Sequence, residues 1–203
     1  MIGIIDYGMG NLRSVQKGFE SQGLDALVTA DRELLRRADG LVLPGVGAFP
    51  DAMANIRREG LDTLIREQVG AGKPLLGICL GLQLLFEYSE EKGYTEGLGF
   101  FAGGVKRLHT GLKIPHMGWN EMEIHRPSDL IDGVTEGTFT YFVHSYHVVP
   151  EDRDLIVATC DYDQEIVGIA GRDRVHGIQF HPEKSSAMGL KILSNFAKVV
   201  NAS

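Results

Sequence analysis

Cysteine is scarce in this sequence: Cys79 and Cys160 are the only two. They stand in unlike surroundings and offer no disulfide framework, and with no export signal at the start of the chain they predict a reducing, cytoplasmic setting. Long apolar runs are missing too, and the opening Met1–Asp6 stretch is too short to span a membrane. No run of Lys or Arg exceeds two residues, and 20 basic against 27 acidic side chains leave a net charge of −7. That balance argues against a nucleic-acid role, which shows as a basic excess or a basic stripe. The Cys and His residues have no zinc-ligand spacing, so no metal is expected. No repeat, low-complexity tract or linker divides the 203 residues, which predicts a single domain over 1–203.

Glycine, by contrast, is abundant, 26 of 203 residues against a usual share of roughly 7%. Tight turns and close backbone approaches are therefore expected. Short apolar runs alternate with amphipathic stretches through the first hundred residues. Ile2–Asp6, Leu24–Val28, Leu41–Leu43 and Pro74–Ile78 read as buried strands. Asn11–Ser21, Asp51–Arg58 and Leu61–Val69 read as the helices between them. Strands separated by helices of this length imply βαβ units and an α/β fold: an open, mostly parallel twisted sheet with helices on both faces. Beyond Gly93, Gly and Pro split Phe101–Ile124 into short pieces, predicting a small antiparallel or irregular excursion. Thr138–Val149, Leu155–Thr159 and Val175–Phe180 read as further strands, and Ser186–Val200 as a closing helix.

The strongest chemical signal is Gly77-Ile78-Cys79-Leu80-Gly81-Leu82-Gln83. A buried strand runs into Gly-x-Cys-x-Gly and a helix begins at once, the layout of a nucleophile elbow. Flanking glycines make room where any Cβ would crowd the turn. A helix N-terminus favours negative charge on the sulfur, and the Leu80 N–H could donate to a developing oxyanion. A free cysteine after an apolar strand is commonly a small buried hydrophobe; Cys160, among alternating apolar residues, keeps that reading, whereas the glycines around Cys79 point to function.

A thiol nucleophile needs a base, and the base an orienting partner. Of the seven histidines, His181 follows the apolar strand Val175–Phe180, so it falls at the carboxyl end of a strand, where open α/β sheets place their ligands. In His181-Pro182-Glu183, the proline fixes one dihedral between base and carboxylate, and Glu183 can hold the imidazole tautomer. His144 and His147, three apart in one apparent strand, lie on opposite faces and make a poor metal pair. His176 reads as a strand residue, His109 and His125 as surface ones.

Together, the Gly77–Gln83 motif and His181-Pro182-Glu183 resemble the class I (triad) glutamine amidotransferases, with the whole chain covered. Within them, Asp6–Leu12, Pro44–Phe49, Pro115–Asn120 and His181–Ser186 resemble the glutaminase subunits of imidazole glycerol phosphate synthases. The resemblance implies hydrolysis of L-glutamine by Cys79, His181 and Glu183, without cofactor or metal. It also implies a heterodimer with a (β/α)8-barrel cyclase that consumes the ammonia. Gln83, one helical turn after Cys79, and Glu91 match substrate-binding positions. Pro44-Gly45-Val46-Gly47 ends the third strand, where its backbone could reach the substrate carbonyl; Gly45, Val46, Gly47 and Leu80 are thus expected at the oxyanion. Trp119, the single tryptophan, sits in what reads as a polar loop, and with Lys184 matches positions at the cyclase interface. A cysteine peptidase of similar fold would keep the elbow and a histidine but would have less reason for Gln83. A catalytically silent binding subunit would not need all three triad residues.

Overall fold

A computed structural model describes residues 1–202. In chain order the first half runs β1 (Ile2–Ile5), α1 (Leu12–Glu20), β2 (Ala26–Thr29), α2 (Arg32–Arg37), β3 (Gly40–Gly45), α3 (Phe49–Arg58), α4 (Leu61–Gly70), β4 (Leu75–Cys79) and α5 (Leu80–Leu84). It continues with β5 (Phe86–Ser89), β6 (Thr95–Glu96), β7 (Phe101–Arg107), β8 (His116–Glu121), β9 (Glu123–Ile124), β10 (Phe139–His144), β11 (Tyr146–Pro150), β12 (Ile156–Asp161), β13 (Glu165–Arg172), β14 (Val175–Ile178) and α6 (Ser186–Asn201).

The main sheet has eight strands in the order β2-β1-β3-β4-β14-β13-β12-β9. Pairing is parallel from β2 through β14 and antiparallel from β14 to β9. Period-two alternation sorts strand side chains onto two faces. Ile5, Leu41, Leu43 and Leu75 meet Leu35 of α2, Phe49, Met53 and Ile56 of α3 and Leu64 of α4. Ile4, Val42, Leu76 and Ile178 meet Val15 and Phe19 of α1 and Ile192 and Phe196 of α6. Each such buried side chain stabilises the fold by about 1.5–3 kcal/mol of transfer free energy, so the sheet is covered from both sides. Among the described residues no helix is long and apolar enough to cross a membrane.

The antiparallel excursion is larger than the sequence suggests. A four-stranded sheet, β11-β7-β5-β6, antiparallel except for its parallel β5/β7 pair, and an antiparallel two-stranded ribbon, β10-β8, stand beside the main sheet. The stretch read as one strand, Thr138–Val149, is two: β10 pairs with β8, and after Ser145 the chain turns so that β11 pairs with β7. The helix expected after Cys79 is only the five-residue α5, and β5 follows almost at once. Several elements were not anticipated, among them α2, β5, β6 and β13. Six-residue α2 buries only Leu35, too little for a periodic signal, and is started by the Asp31 side chain accepting from the N–H groups of Glu33 and Leu34. Strand β13 carries Gly168 and Gly171 inside an otherwise apolar run, and is buried from Ile166 to Gly171.

Candidate active site

Three neighbouring parallel strands end at one place. In the β3/β4 register Gly45 lies opposite Cys79, and in the β14/β4 register Ile178 lies opposite Ile78. The loop after β3, the cysteine ending β4 and the histidine three residues beyond β14 are therefore delivered side by side at the carboxyl edge of the sheet. They open into a cavity of about 360 Å³ lined by Val46, Gly47, Cys79, Leu80, Gln83, Glu91, the segment 143–146 and His181.

Cys79 has φ +55° and ψ −109°, a conformation that non-glycine residues adopt at a cost of order 1–3 kcal/mol when the surroundings enforce it. The flanking glycines explain how it persists. A Cβ on Gly77 would lie 2.5 Å from the Gly81 carbonyl oxygen, and one on Gly81 would collide with the Leu43 carbonyl oxygen. With no side chain at either position, α5 can press against both β3 and β4. The Cys79 sulfur lies 3.7 Å from Gln179 Nε2, which donates to it, and 4.0 Å from the Val143 carbonyl oxygen. Because α5 has only five residues, any help to a sulfur anion comes from its first N–H groups more than from a long macrodipole.

His181 and Glu183 are almost fully buried, with side-chain exposures of 4% and 3%, and the imidazole Nδ1–H donates to Glu183 Oε1 at 2.9 Å. That leaves Nε2 for the thiol; it has no hydrogen-bond partner of ordinary geometry, and such contacts commonly tighten only with substrate bound. Burial by itself lowers the His181 pKa, but interaction with Cys79 and Glu183 outweighs burial and pushes it up to about 10. The arrangement therefore favours an imidazolium beside the sulfur.

The other expected residues divide between cavity wall and support. Gln83 lines the cavity and its Nε2 donates to the Tyr146 carbonyl at 2.9 Å. Glu91 also lines it and accepts from the Phe49 N–H at the start of α3, 2.9 Å away. Val46 and Gly47 are on the rim, Gly47 at φ +106°. Gly45 lies behind them, where a Cβ would strike the Tyr7 hydroxyl. That hydroxyl donates to the Pro44 carbonyl at 2.8 Å, and burial, with the nearby Cys79 charge, raises its pKa well above the usual phenol range. Trp119 lies in strand β8, not in a loop, opposite Tyr141 of β10, and half-exposed at 51%. Its ring meets Tyr141 edge-on at 5.9 Å, and Lys184 Nζ stands 5.8 Å from the Tyr141 ring centre. Met117 and Phe139 extend this exposed apolar surface.

Sequence reasoning missed three features. Gln179, buried at the end of β14, bridges Cys79 and Gln83: its Oε1 accepts from Gln83 Nε2 at 3.3 Å. An amide two residues before His181 in an apolar strand was the available signal. Ser185 Oγ donates to the His181 carbonyl at 2.6 Å and accepts from the Tyr141 N–H at 2.9 Å. His144 ends β10 on the cavity wall, whereas His147 belongs to β11.

The model of the class-I glutamine amidotransferase family matches residues 3–200. Imidazole glycerol phosphate synthase subunit HisH of Geobacillus thermodenitrificans is 53% identical, with 98% of this chain and 96% of that protein aligned. The subunit of the same name from Aquifex aeolicus is 51% identical over 96% of this chain and 95% of its own. Among solved structures, a glutamine amidotransferase superposes with a TM-score of 0.79 at 18% identity, covering 98% of both chains. PurLQS of Thermotoga maritima superposes with a TM-score of 0.77 at 18% identity, covering 97% of both chains. The chain belongs to the class-I glutamine amidotransferases and, within them, to the HisH family of imidazole glycerol phosphate synthase subunits.

Proposed function

We infer that this chain is the glutaminase subunit of an imidazole glycerol phosphate synthase, hydrolysing L-glutamine to L-glutamate and ammonia for a partner subunit in histidine biosynthesis. The observation that carries the chemistry is Cys79, held at positive φ on the cavity floor, with the buried His181–Glu183 pair beside it. In this reading the Cys79 sulfur anion attacks the side-chain amide carbon of glutamine. His181 hands its proton to the departing ammonia, leaving a glutamyl thioester. Water, giving a proton to His181, then cleaves the thioester and releases glutamate and the thiolate, while Glu183 orients the imidazole throughout. Backbone N–H groups of Leu80 and the Gly45–Gly47 loop stabilise the oxyanion, one such donor being worth roughly 10²–10³ in rate. Gln83 and Glu91 hold the substrate's polar ends.

The relatives are named as subunits, and we assign the partner as a (β/α)8-barrel cyclase forming a cytoplasmic heterodimer with this chain. The exposed Trp119, Met117 and Phe139, with Tyr141 and Lys184, offer the aromatic and cationic anchors that interface centres favour. The test replaces Cys79 by Ala in the assembled complex. Glutamine-dependent synthesis should fall by at least ~10³-fold while ammonia-dependent synthesis continues. Near wild-type turnover of glutamine would show that the nucleophile is misassigned, and cleavage of peptides with glutamine untouched would show that the substrate is.

A further inference from the structure

The cavity wall opposite the nucleophile is the bend between β10 and β11, and behind it lies a chain of hydrogen bonds whose polarity is forced. His144 Nδ1 is 2.9 Å from the Tyr146 carbonyl oxygen, which can only accept, so Nδ1 carries the His144 proton. In a neutral ring Nε2 is then an acceptor. His116 Nδ1 is 3.0 Å from that Nε2 and must donate to it. The remaining His116 nitrogen, Nε2, accepts from the Asn120 amide at 3.3 Å. The amide cannot be turned round, because its Nδ2 also donates to the Asp161 carbonyl at 2.8 Å and its Oδ1 accepts from the Glu121 N–H at 2.8 Å. Both imidazoles are buried, and burial pushes His116 down to about 4 and His144 to about 3, so neither carries a second proton near neutrality. His116 is also clamped between rings, stacked on Phe142 at 4.8 Å and on Tyr162 at 4.0 Å.

The far end of this chain reaches the nucleophile. The Tyr146 carbonyl that accepts the His144 Nδ1–H hydrogen bond also accepts one from Gln83 Nε2, the same nitrogen donates to Gln179 Oε1, and Gln179 Nε2 points at the Cys79 sulfur. We propose that His116, which touches no substrate, is a positioning residue: by donating to His144 it fixes the tautomer and pose of that ring, and through Tyr146 the cavity wall and the Gln83 and Gln179 amides beside Cys79. The chain begins at Asn120, next to Trp119 in β8, so the same strand that presents Trp119 outward sets the wall inward.

This rests on the glutaminase reading of the cavity, and two measurements keep them separable. Long-range ¹H–¹⁵N spectra of histidine-labelled wild-type protein at neutral pH should give both His116 and His144 as Nδ1–H tautomers, whatever the substrate is. An Nε2–H tautomer or an imidazolium at either ring overturns the proposal. In the complex, His116→Phe keeps an aromatic ring in the stack and removes the N–H. It should raise KM for glutamine about tenfold, the cost of an orphaned buried acceptor, with kcat within about threefold. His116→Asn, which places an amide N–H near the former Nδ1, should recover most of that loss. An unchanged KM in His116→Phe, or a loss confined to kcat, overturns the proposal. A wild-type complex that fails to turn over glutamine would instead overturn the function it rests on.

Discussion

Thiol alkylation distinguishes the two cysteines. Both are largely buried, at 6% and 3% exposure, so accessibility alone barely separates them. Their chemistry does. Burial, with the Asp161 charge adding to it, pushes the Cys160 thiol up to about 12. At pH 8 only about 10⁻⁴ of it is thiolate, against roughly a quarter for an unperturbed cysteine with a pKa near 8.5, a deficit of about three orders of magnitude. Cys79 opens into the cavity, and the His181 imidazolium lies beside it. Iodoacetamide, which carries a small primary amide like the glutamine side chain, should add once per chain at pH 8, on the peptide containing Cys79. Loss of glutaminase activity in the complex should track that modification one for one, glutamine should slow it, and Cys160→Ala should leave the time course unchanged. Peptide mass spectrometry alongside residual activity checks all three. Labelling of Cys160 at a comparable rate, or full turnover after stoichiometric labelling of Cys79, would refute the reasoning.

Gly81→Ala would drive a Cβ into the Leu43 backbone carbonyl. It should cost about 1–3 kcal/mol of stability in urea melts and about 10²-fold in turnover by displacing the elbow. Gly70→Ala, at the end of α4 with open space around it, should leave turnover unchanged and stability unchanged or raised by up to about 1 kcal/mol; equal losses at the two positions would contradict the packing account. Trp119→Ala should weaken binding of the cyclase partner by about 1 kcal/mol or more in calorimetric titration. Its melting temperature should hardly move, since half of the ring is already in water; unchanged affinity would remove Trp119 as an anchor.

How far the sequence discloses this molecule depends on whether a signal is local. The parallel strands were legible because each reads as a short apolar run between helices, and β1, β3 and β4 are buried on both faces. The elbow was legible because Gly77 and Gly81 stand at fixed offsets from Cys79, and a collision with Leu43 leaves no other residue room. His181 and Glu183 are two residues apart, so their pairing is nearly local as well. What was illegible depends on distant contacts. Gln179 approaches Cys79 from a hundred positions away, and Ser185 clasps Tyr141 from 44 away. Trp119 was misread as a loop residue because Gly118 and Pro115 break the strand pattern, yet pairing with β10 from Phe139 to His144 supplies the hydrogen bonds that make β8 a strand. Likewise β11 separates from β10 only because β7 is there to pair with it.

These distant contacts share a consequence. β10 presents Tyr141 toward Lys184 and Trp119 on its outer side, while its backbone at the same residue holds His181: the Tyr141 carbonyl accepts from the His181 N–H at 2.9 Å, and the Tyr141 N–H donates to Ser185 Oγ. Three residues on, His144 ends the strand at the cavity wall. The opposite rim is built differently. Gly45 is fixed by its register with Cys79 and by Tyr7, whereas Val46 is exposed and Gly47 rests at positive φ, where only a methionine end, Met9 Cε, would stand near a side chain. Freedom to reorient a peptide is therefore concentrated at Val46–Gly47, beyond the locked residue. The cavity thus has one wall tied through β10 to the surface proposed for the partner, and, on the proposed oxyanion role of this loop, a rim where turning one peptide would aim an N–H toward the substrate or away. A subunit whose ammonia is useful only when a partner is present has reason to place its rigid and its movable parts in this way, and a bias of about 3–4 kcal/mol between rim orientations would match the rate factor of one oxyanion donor.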